Sequence, residues 1–172
     1  IAALHDAGLP SEFALIPFVG RRYRANARSP GGQVGLWQFT AATARRNGLS
    51  VRKGRDDRLD PQVSTRAAVR YLQRLHRMFG NDWRWTAMAY NAGEGAARAA
   101  RRSGGTRGLS SITRHYPDKL HALACIFQQA DDREEWLHTL DRPVPRLASQ
   151  TLPADVASLD AWAGRQGHDS AL

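Results

Sequence analysis

The sequence predicts an all-α globule, and three observations carry that reading. Apolar residues recur at three- and four-residue spacing nearly everywhere. No stretch alternates apolar and polar residues cleanly, as a half-buried strand does. Ser, Thr and Asp stand before the periodic runs, and Gly or Asn-Gly closes them. At 172 residues, 42% of them hydrophobic, the chain is long enough to bury a core without disulfide or metal staples.

Residues 1–7 form a short apolar start, closed by Gly8 and Pro10. Ser11 is placed to cap a helix over about 12–27, whose apolar positions include Ile16, Val19 and Tyr23. Pro17 is expected to kink that helix. "RSPGGQVG" reads as a Gly-rich loop and "LWQF" as a buried turn. Thr40 caps a helix to about Asn47, and the polar run "VRKGRDDRLD" after it reads as a loop. Asp60-Pro61 supplies a cap and a first-turn proline for a long helix to Phe79. Ala68, Leu72, Leu75 and Phe79 form its core stripe, while Arg66, Arg70, Arg74 and Arg77 follow another face. Gly80-Asn81-Asp82 stops that helix and caps the next, "WRWTAMAYNAG", and a Gly-hinged helix follows over about 94–102. "LSSITRHYPDKLHALACIFQQADD" gives a short helix, a break before Pro117 and a core helix to about Gln129, with Cys125 as a buried thiol. From Asp131 the periodicity weakens. Pro143, Pro145 and Pro153 imply an extended segment, and "ADVASLDAWAGRQG" one last helix. The expected organisation is a domain over 1–130 with a Pro-interrupted extension over 131–172 packing on it.

The net charge is +9 and the basic residues are nearly all Arg, Lys53 and Lys119 being the exceptions, so anionic partners are favoured. The charge is spread along the chain, and no recognition-helix signature accompanies it, which argues against a nucleic-acid partner. One cysteine excludes an internal disulfide and a Cys-based zinc site. The six histidines are scattered, with no His-x₃-His pair, so no metal or cofactor is expected. No apolar run approaches the ~18 residues of a membrane span. No signal peptide is visible, and a start at Ile1 without Met suggests trimming.

The residue types around the Gly-rich loop suit a sugar ligand. Such a loop leaves backbone amides and carbonyls accessible. Gln38 offers a donor and an acceptor beside Trp37, and Tyr90-Asn91 ends a helix where polar side chains can face a groove. Aromatic faces stack on the apolar faces of sugar rings, and amides read hydroxyl and acetamido groups. Trp37 and Tyr90 equally suit core packing with a bonded polar tip.

Four motifs in order then carry a resemblance: "LPSEFALIPFVGR", "ARSPGGQVGLWQFTAATA", "DDRLDPQVSTRAAVRYLQRL" and "FGNDWRWTAMAYNAGEG". They resemble the lytic transglycosylases of the goose-lysozyme-like superfamily, in particular the membrane-bound lytic transglycosylase D branch. The likeness covers about residues 9–130. It implies a lysozyme-like helical fold with a peptidoglycan-binding groove, in the bacterial periplasm or cell envelope. It marks Ser29, Gly35, Gln38, Tyr90 and Asn91 as substrate-binding.

The chain departs from the pattern at the catalytic step. The family's Glu follows the Val of a Val-Glu-Ser triplet; here Val19 is followed by Gly20 and Arg21. The family's reaction needs a carboxyl that protonates the glycosidic oxygen and then, as carboxylate, takes the C6-hydroxyl proton as the anhydro ring closes. Gly20 has no side chain, and an arginine is no acid. Glu12 lies eight residues before position 20, ~12 Å along a regular helix and ~80° around it. It suits a first-turn residue better than an acid. Asp56, Asp57 and Asp60 fall in or beside a polar loop, where carboxyls stay ionised. Glu94 remains as the candidate for a relocated acid, coming from the opposite wall. The sequence therefore points to a catalytically degenerate domain that binds glycan strands or an envelope protein, with an active enzyme using a relocated acid as the alternative.

Overall fold

The computed structural model describes residues 2–130 and, beyond them, 153, 155, 156, 158, 162, 164 and 165. The chain divides into two compact units, Ile1–Trp136 and Leu137–Leu172, a boundary six residues after the expected one at 130. In the first unit the described residues are overwhelmingly helical. The elements are α1 (Ala2–His5), a 3-10 turn (Ser11–Leu15), α2 (Ile16–Arg21), α3 (Ala41–Arg46), β1 (Val51–Arg52), β2 (Arg55–Asp56), a second 3-10 turn (Asp57–Leu59), α4 (Pro61–Met78), α5 (Trp83–Ala92), α6 (Glu94–Arg102), α7 (Ser111–Arg114) and α8 (Tyr116–Ala130). In the second unit the Trp162 amide donates to the Ser158 carbonyl at 3.1 Å, and residues 162, 164 and 165 are helical. The expected extended segment and most of the expected last helix lie outside the described residues.

Local chemistry sets most boundaries. Thr40 caps α3 by accepting from the Thr43 amide at 3.1 Å. Asp60 caps α4 through the Gln62 and Val63 amides, and Asp82 caps α5 through those of Arg84 and Trp85. α5 is the central element, packed against α4, α6, α7 and α8. Phe13, Leu72, Leu75, Phe79, Ala87, Ala89 and Leu120 fill the core around it.

Four local expectations need correction. Ser11 caps nothing: the residue before the first 3-10 turn is Pro10, and no side chain bonds that end. Pro17 does not kink a long helix but sits in the first turn of α2, where its missing N–H is no loss. α2 then ends at Arg21, because Arg22 and Tyr23 turn left-handed at φ +50° and +60°. The polar run after α3 holds a small antiparallel hairpin, pairing Val51 with Asp56 and Arg52 with Arg55, and Gly54 takes φ +78° in its turn. Two-residue strands are too short to show alternation. Cys125 is half-buried, its Sγ 3.8 Å from His121 Nε2.

The Gly-rich loop is folded back on itself by bridges between Arg28 and Val34 and between Val34 and Phe39. Beneath it lies the buried guanidinium of Arg58. Arg58 donates to Asp56 at 2.7 and 2.9 Å, to the Gly32 carbonyl at 3.2 Å and to the Phe39 carbonyl at 3.1 Å. Gly35, at φ +82°, lies so close that a Cβ there would overlap the Arg58 carbonyl oxygen and sit 2.8 Å from its carbon.

Gly35→Ala should therefore destabilise the protein by about 3 kcal/mol, from left-handed backbone and overpacking together. Gly32→Ala, also left-handed at φ +77° but with open space around it, should cost only about 1 kcal/mol. Thermal unfolding followed by circular dichroism separates them; equal losses would remove the contact with Arg58 as the constraint on this loop.

Candidate functional site

Three cavities that share lining residues run along one side of the first unit. The middle one, about 350 Å³, is bounded by Ile16, Val19 and Gly20 of α2 and by Gln33, Trp37 and Gln38 of the loop. Tyr90 and Asn91 of α5, Ile112 of α7, and Tyr116 and Lys119 of α8 close its far side. A second, about 200 Å³, continues over Gln33, Gln38, Tyr90 and Asn91 towards Thr40, Thr43 and Tyr71. A third, about 670 Å³, shares Val19, Gly20 and Lys119 with the middle one.

Trp37 sits in the core, its Nε1 donating to Thr65 Oγ1 of α4 at 2.8 Å. The Tyr90 hydroxyl donates to the Trp37 carbonyl at 2.8 Å, and its ring packs against Trp37, Phe39 and Tyr71. The structure shows the packing role for both aromatics, and each also lines the middle cavity. Gln38 takes the left-handed conformation at φ +50° and is pinned there, its Nε2 donating to the Gly35 carbonyl at 2.8 Å. Strain of this kind persists where surrounding structure over-determines it. Asn91 Oδ1 accepts from Thr113 Oγ1 at 2.8 Å.

Of the five residues marked for binding, Gln38, Tyr90 and Asn91 line the cavities. Ser29 and Gly35 support the wall from behind. The Ser29 hydroxyl bonds Gln33 Oε1 and accepts from the Gln33 amide at 3.0 Å, which fixes Gln33, itself a lining residue. Gly35 is packed on Arg58. Gln33, Tyr116 and Lys119 complete the wall and were not singled out from the sequence. The tyrosine before the Pro117 break was a usable signal for Tyr116. Which side of α8 meets the cavity depends on tertiary packing.

Gly20 is exposed in the last turn of α2, on helical backbone. A Cβ there would meet Gln38 Cγ at 3.4 Å, ordinary contact, so neither backbone nor crowding requires glycine. The same position therefore sits against Gln38, and both line the middle cavity. No aspartate or glutamate is among the described residues that line any of the three cavities. Glu94 lines none of them; its Oε2 accepts from Arg74 Nη1 at 2.6 Å, and Arg74 stacks over Tyr71. Glu12 Oε1 lies 3.9 Å from His121 Nδ1. Asp56 and Asp57 are held below the usual carboxylate range, chiefly by hydrogen bonds from Arg58 and Arg55 respectively. The titratable groups on the middle cavity are Tyr90, Tyr116 and Lys119. Burial pushes both phenols up, Tyr90 well above its ordinary value. Among the described residues no group of three or more His, Cys, Asp or Glu side chains could hold a metal, and no helix is long and apolar enough to cross a membrane.

Comparison with known proteins adds to this geometry. The family model described as "Transglycosylase SLT domain" matches residues 1–112. The chain is 32% identical over 167 residues to the membrane-bound lytic murein transglycosylase D of Escherichia coli strain K12, a match covering 91% of this chain and 37% of that protein. It is 44% identical over 75 residues to the peptidoglycan transglycosylase gp16 of Escherichia phage T7, covering 43% of this chain and 6% of that one. The chain thus spans little more than a third of the first relative's length. An inactive mutant of the lytic transglycosylase Slt from Pseudomonas aeruginosa superposes with a TM-score of 0.61 at 24% identity, over 76% of this chain and 23% of that one. That likeness concerns the fold.

Two measurements test the site's construction. Gly20→Ala should stabilise the protein by about 0.5–1 kcal/mol, because a helical glycine is replaced where a Cβ fits. A loss of stability on denaturant titration would mean that position 20 needs its open space. All four tyrosines have raised pKa values, with burial the leading cause. Folding thus favours the neutral phenols; that stability is present below about pH 10 and is lost as pH rises past it. Phenolate absorbance should appear above pH 10 together with loss of helical circular dichroism. Reversible titration of Tyr71, Tyr90 or Tyr116 below pH 10 in the folded protein would contradict the burial of those rings.

Proposed function

The chain belongs to the transglycosylase SLT family, with that family's lysozyme-like helical fold, and we propose that it is a catalytically degenerate member: a domain that binds the glycan strands of peptidoglycan without cleaving them. The bacterial cell envelope, where that polymer lies, is the corresponding compartment. One observation carries the reading. Position 20 faces the middle cavity without a side chain, and no carboxyl group lines the groove among the described residues.

Cleavage of a glycosidic bond needs a proton on the leaving oxygen and a group to deliver it. The two phenols on the groove cannot relay protons as a carboxyl does, since burial favours their neutral form and Tyr90 already donates to a backbone carbonyl. Glu94 is held by Arg74 outside the groove. Binding needs none of this. The ring faces of Tyr90 and Trp37, with the amides of Gln33, Gln38 and Asn91, supply the stacking and hydrogen bonding that a sugar chain uses.

Purified protein should sediment with insoluble peptidoglycan and release no anhydro-muropeptides above a buffer control. Release that Glu94→Gln abolishes would replace this reading with an active enzyme using a relocated acid. Replacing Gly20→Glu together with Arg21→Ser should raise lytic activity about 100-fold or more above wild type, the low end of what a general acid contributes. No gain in a folded, peptidoglycan-binding variant would mean that the groove has lost more than its acid.

A further inference from the structure

The cavity beside Gly20 differs in chemistry from the rest of the groove. It shares Val19, Gly20 and Lys119 with the middle cavity, so the two meet where position 20 contributes no side chain. Its remaining wall brings Arg22 and Arg24 over an apolar floor of Phe18 and Leu123. The cavity therefore carries three cations and no lining carboxylate among the described residues. None of the three has an ion pair or a side-chain hydrogen bond among the described residues. Arg55, Arg58, Arg74 and Arg84 are instead each paired with an acid.

The turn that presents these arginines is built, not loose. Arg22 and Tyr23 both adopt left-handed backbone, a conformation that costs a side-chain-bearing residue about 1–2 kcal/mol. The Arg22 amide donates to the Phe18 carbonyl at 2.9 Å and the Tyr23 amide to the Pro17 carbonyl at 3.2 Å. The Tyr23 hydroxyl then reaches back to the Ala14 carbonyl at 2.9 Å. Cations without ion pairs among the described residues, collected in a concavity beside a fixed, strained turn, are the arrangement of an anion site. Guanidinium groups match carboxylates in two-point geometry.

We propose that this cavity is an anion site which grips a carboxylate on a peptide branch of the same glycan strand that lies in the groove. The inference rests on the glycan-binding reading above and adds the ligand's second recognition element. A concave pocket continuous with a sugar groove fits a branch on that sugar chain better than it fits the flat surface of a lipid bilayer.

The test compares three soluble probes by calorimetry. They are N-acetylchitotetraose, a peptide-bearing peptidoglycan tetrasaccharide, and the same tetrasaccharide with its stem carboxylates amidated. The peptide-bearing probe should bind about ten-fold tighter than chitotetraose, the worth of one charge-assisted hydrogen bond. Amidation should erase that advantage, and so should salt raised to about 0.5 M. The double variant Arg22→Asn with Arg24→Ala should erase it too, while its chitotetraose affinity stays within about two-fold, since neither residue lines the sugar groove. Asparagine tolerates the left-handed backbone at 22, and circular dichroism checks the fold. Equal binding of charged and uncharged probes by the wild type would overturn the anion site and leave the groove standing. No binding of any probe would overturn both. An advantage that survives in the double variant would place the carboxylate contact elsewhere and overturn the assignment. Capture of phosphatidylglycerol vesicles that the double variant abolishes, with no preference among saccharides, would reassign the cations to a lipid surface.

Discussion

The buried guanidinium of Arg58 is the interaction on which the groove depends. It is satisfied on one side by the Asp56 carboxylate and on the other by the Gly32 and Phe39 carbonyls. A buried ion pair is rarely worth much as net stability, because desolvation offsets its Coulomb gain. Here it ties together parts of the chain that propensity would not. The hairpin supplies Asp56, the turn before α4 supplies Arg58, and the Gly-rich loop supplies the carbonyls. Gly35 is glycine because the Arg58 backbone occupies the space a Cβ would need. Once the loop is closed over Arg58, Trp37 reaches Thr65 and Tyr90 reaches the Trp37 carbonyl, so α4 and α5 clamp the same wall.

The consequence for the site is a division between groups that build the wall and groups left to face a ligand. The Tyr90 hydroxyl, the Trp37 indole N–H and the Gln38 amide nitrogen all donate to the protein itself. What they offer the groove is ring surface and a carbonyl oxygen held in a fixed place. Pre-organisation of that kind lowers the ordering cost of binding. It supplies no proton. The residue whose side chain would face Gln38 from α2 is the one that is missing.

Much of the fold was legible because its signals are local. Thr40, Asp60 and Asp82 cap the helices they were expected to cap, each accepting from one or two amides that lie two or three residues ahead. The errors lie where long-range contacts decide. "VRKGRDDRLD" looked like a solvated loop because it is polar, yet Arg58 is buried and its polarity is satisfied within the protein. Gly35 looked like a residue that exposes backbone to a ligand, whereas the open space is filled by Arg58. The wall residues Tyr116 and Lys119 come from α8, about a hundred positions after α2, and no periodicity joins such distant segments. The left-handed turn at Arg22 and Tyr23 was hidden as well, since neither residue is one that favours it.

The lack of a lining carboxyl among the described residues and the cationic cavity bear on each other through elementary electrostatics. A general acid must hold its proton near neutral pH, and positive charge nearby favours the ionised carboxylate instead. Arg22, Arg24 and Lys119 share a cavity with position 20. A glutamate there would have its pKa lowered by these charges, which weakens a general acid at this position without abolishing it. With glycine there, the same cations have no ion-pair partner among the described residues. Position 20 lines both the cationic cavity and the sugar groove. In the proposed reading, glycine at position 20 and the cations beside it act in one direction: neither serves proton delivery, and both suit the holding of an anionic branched glycan.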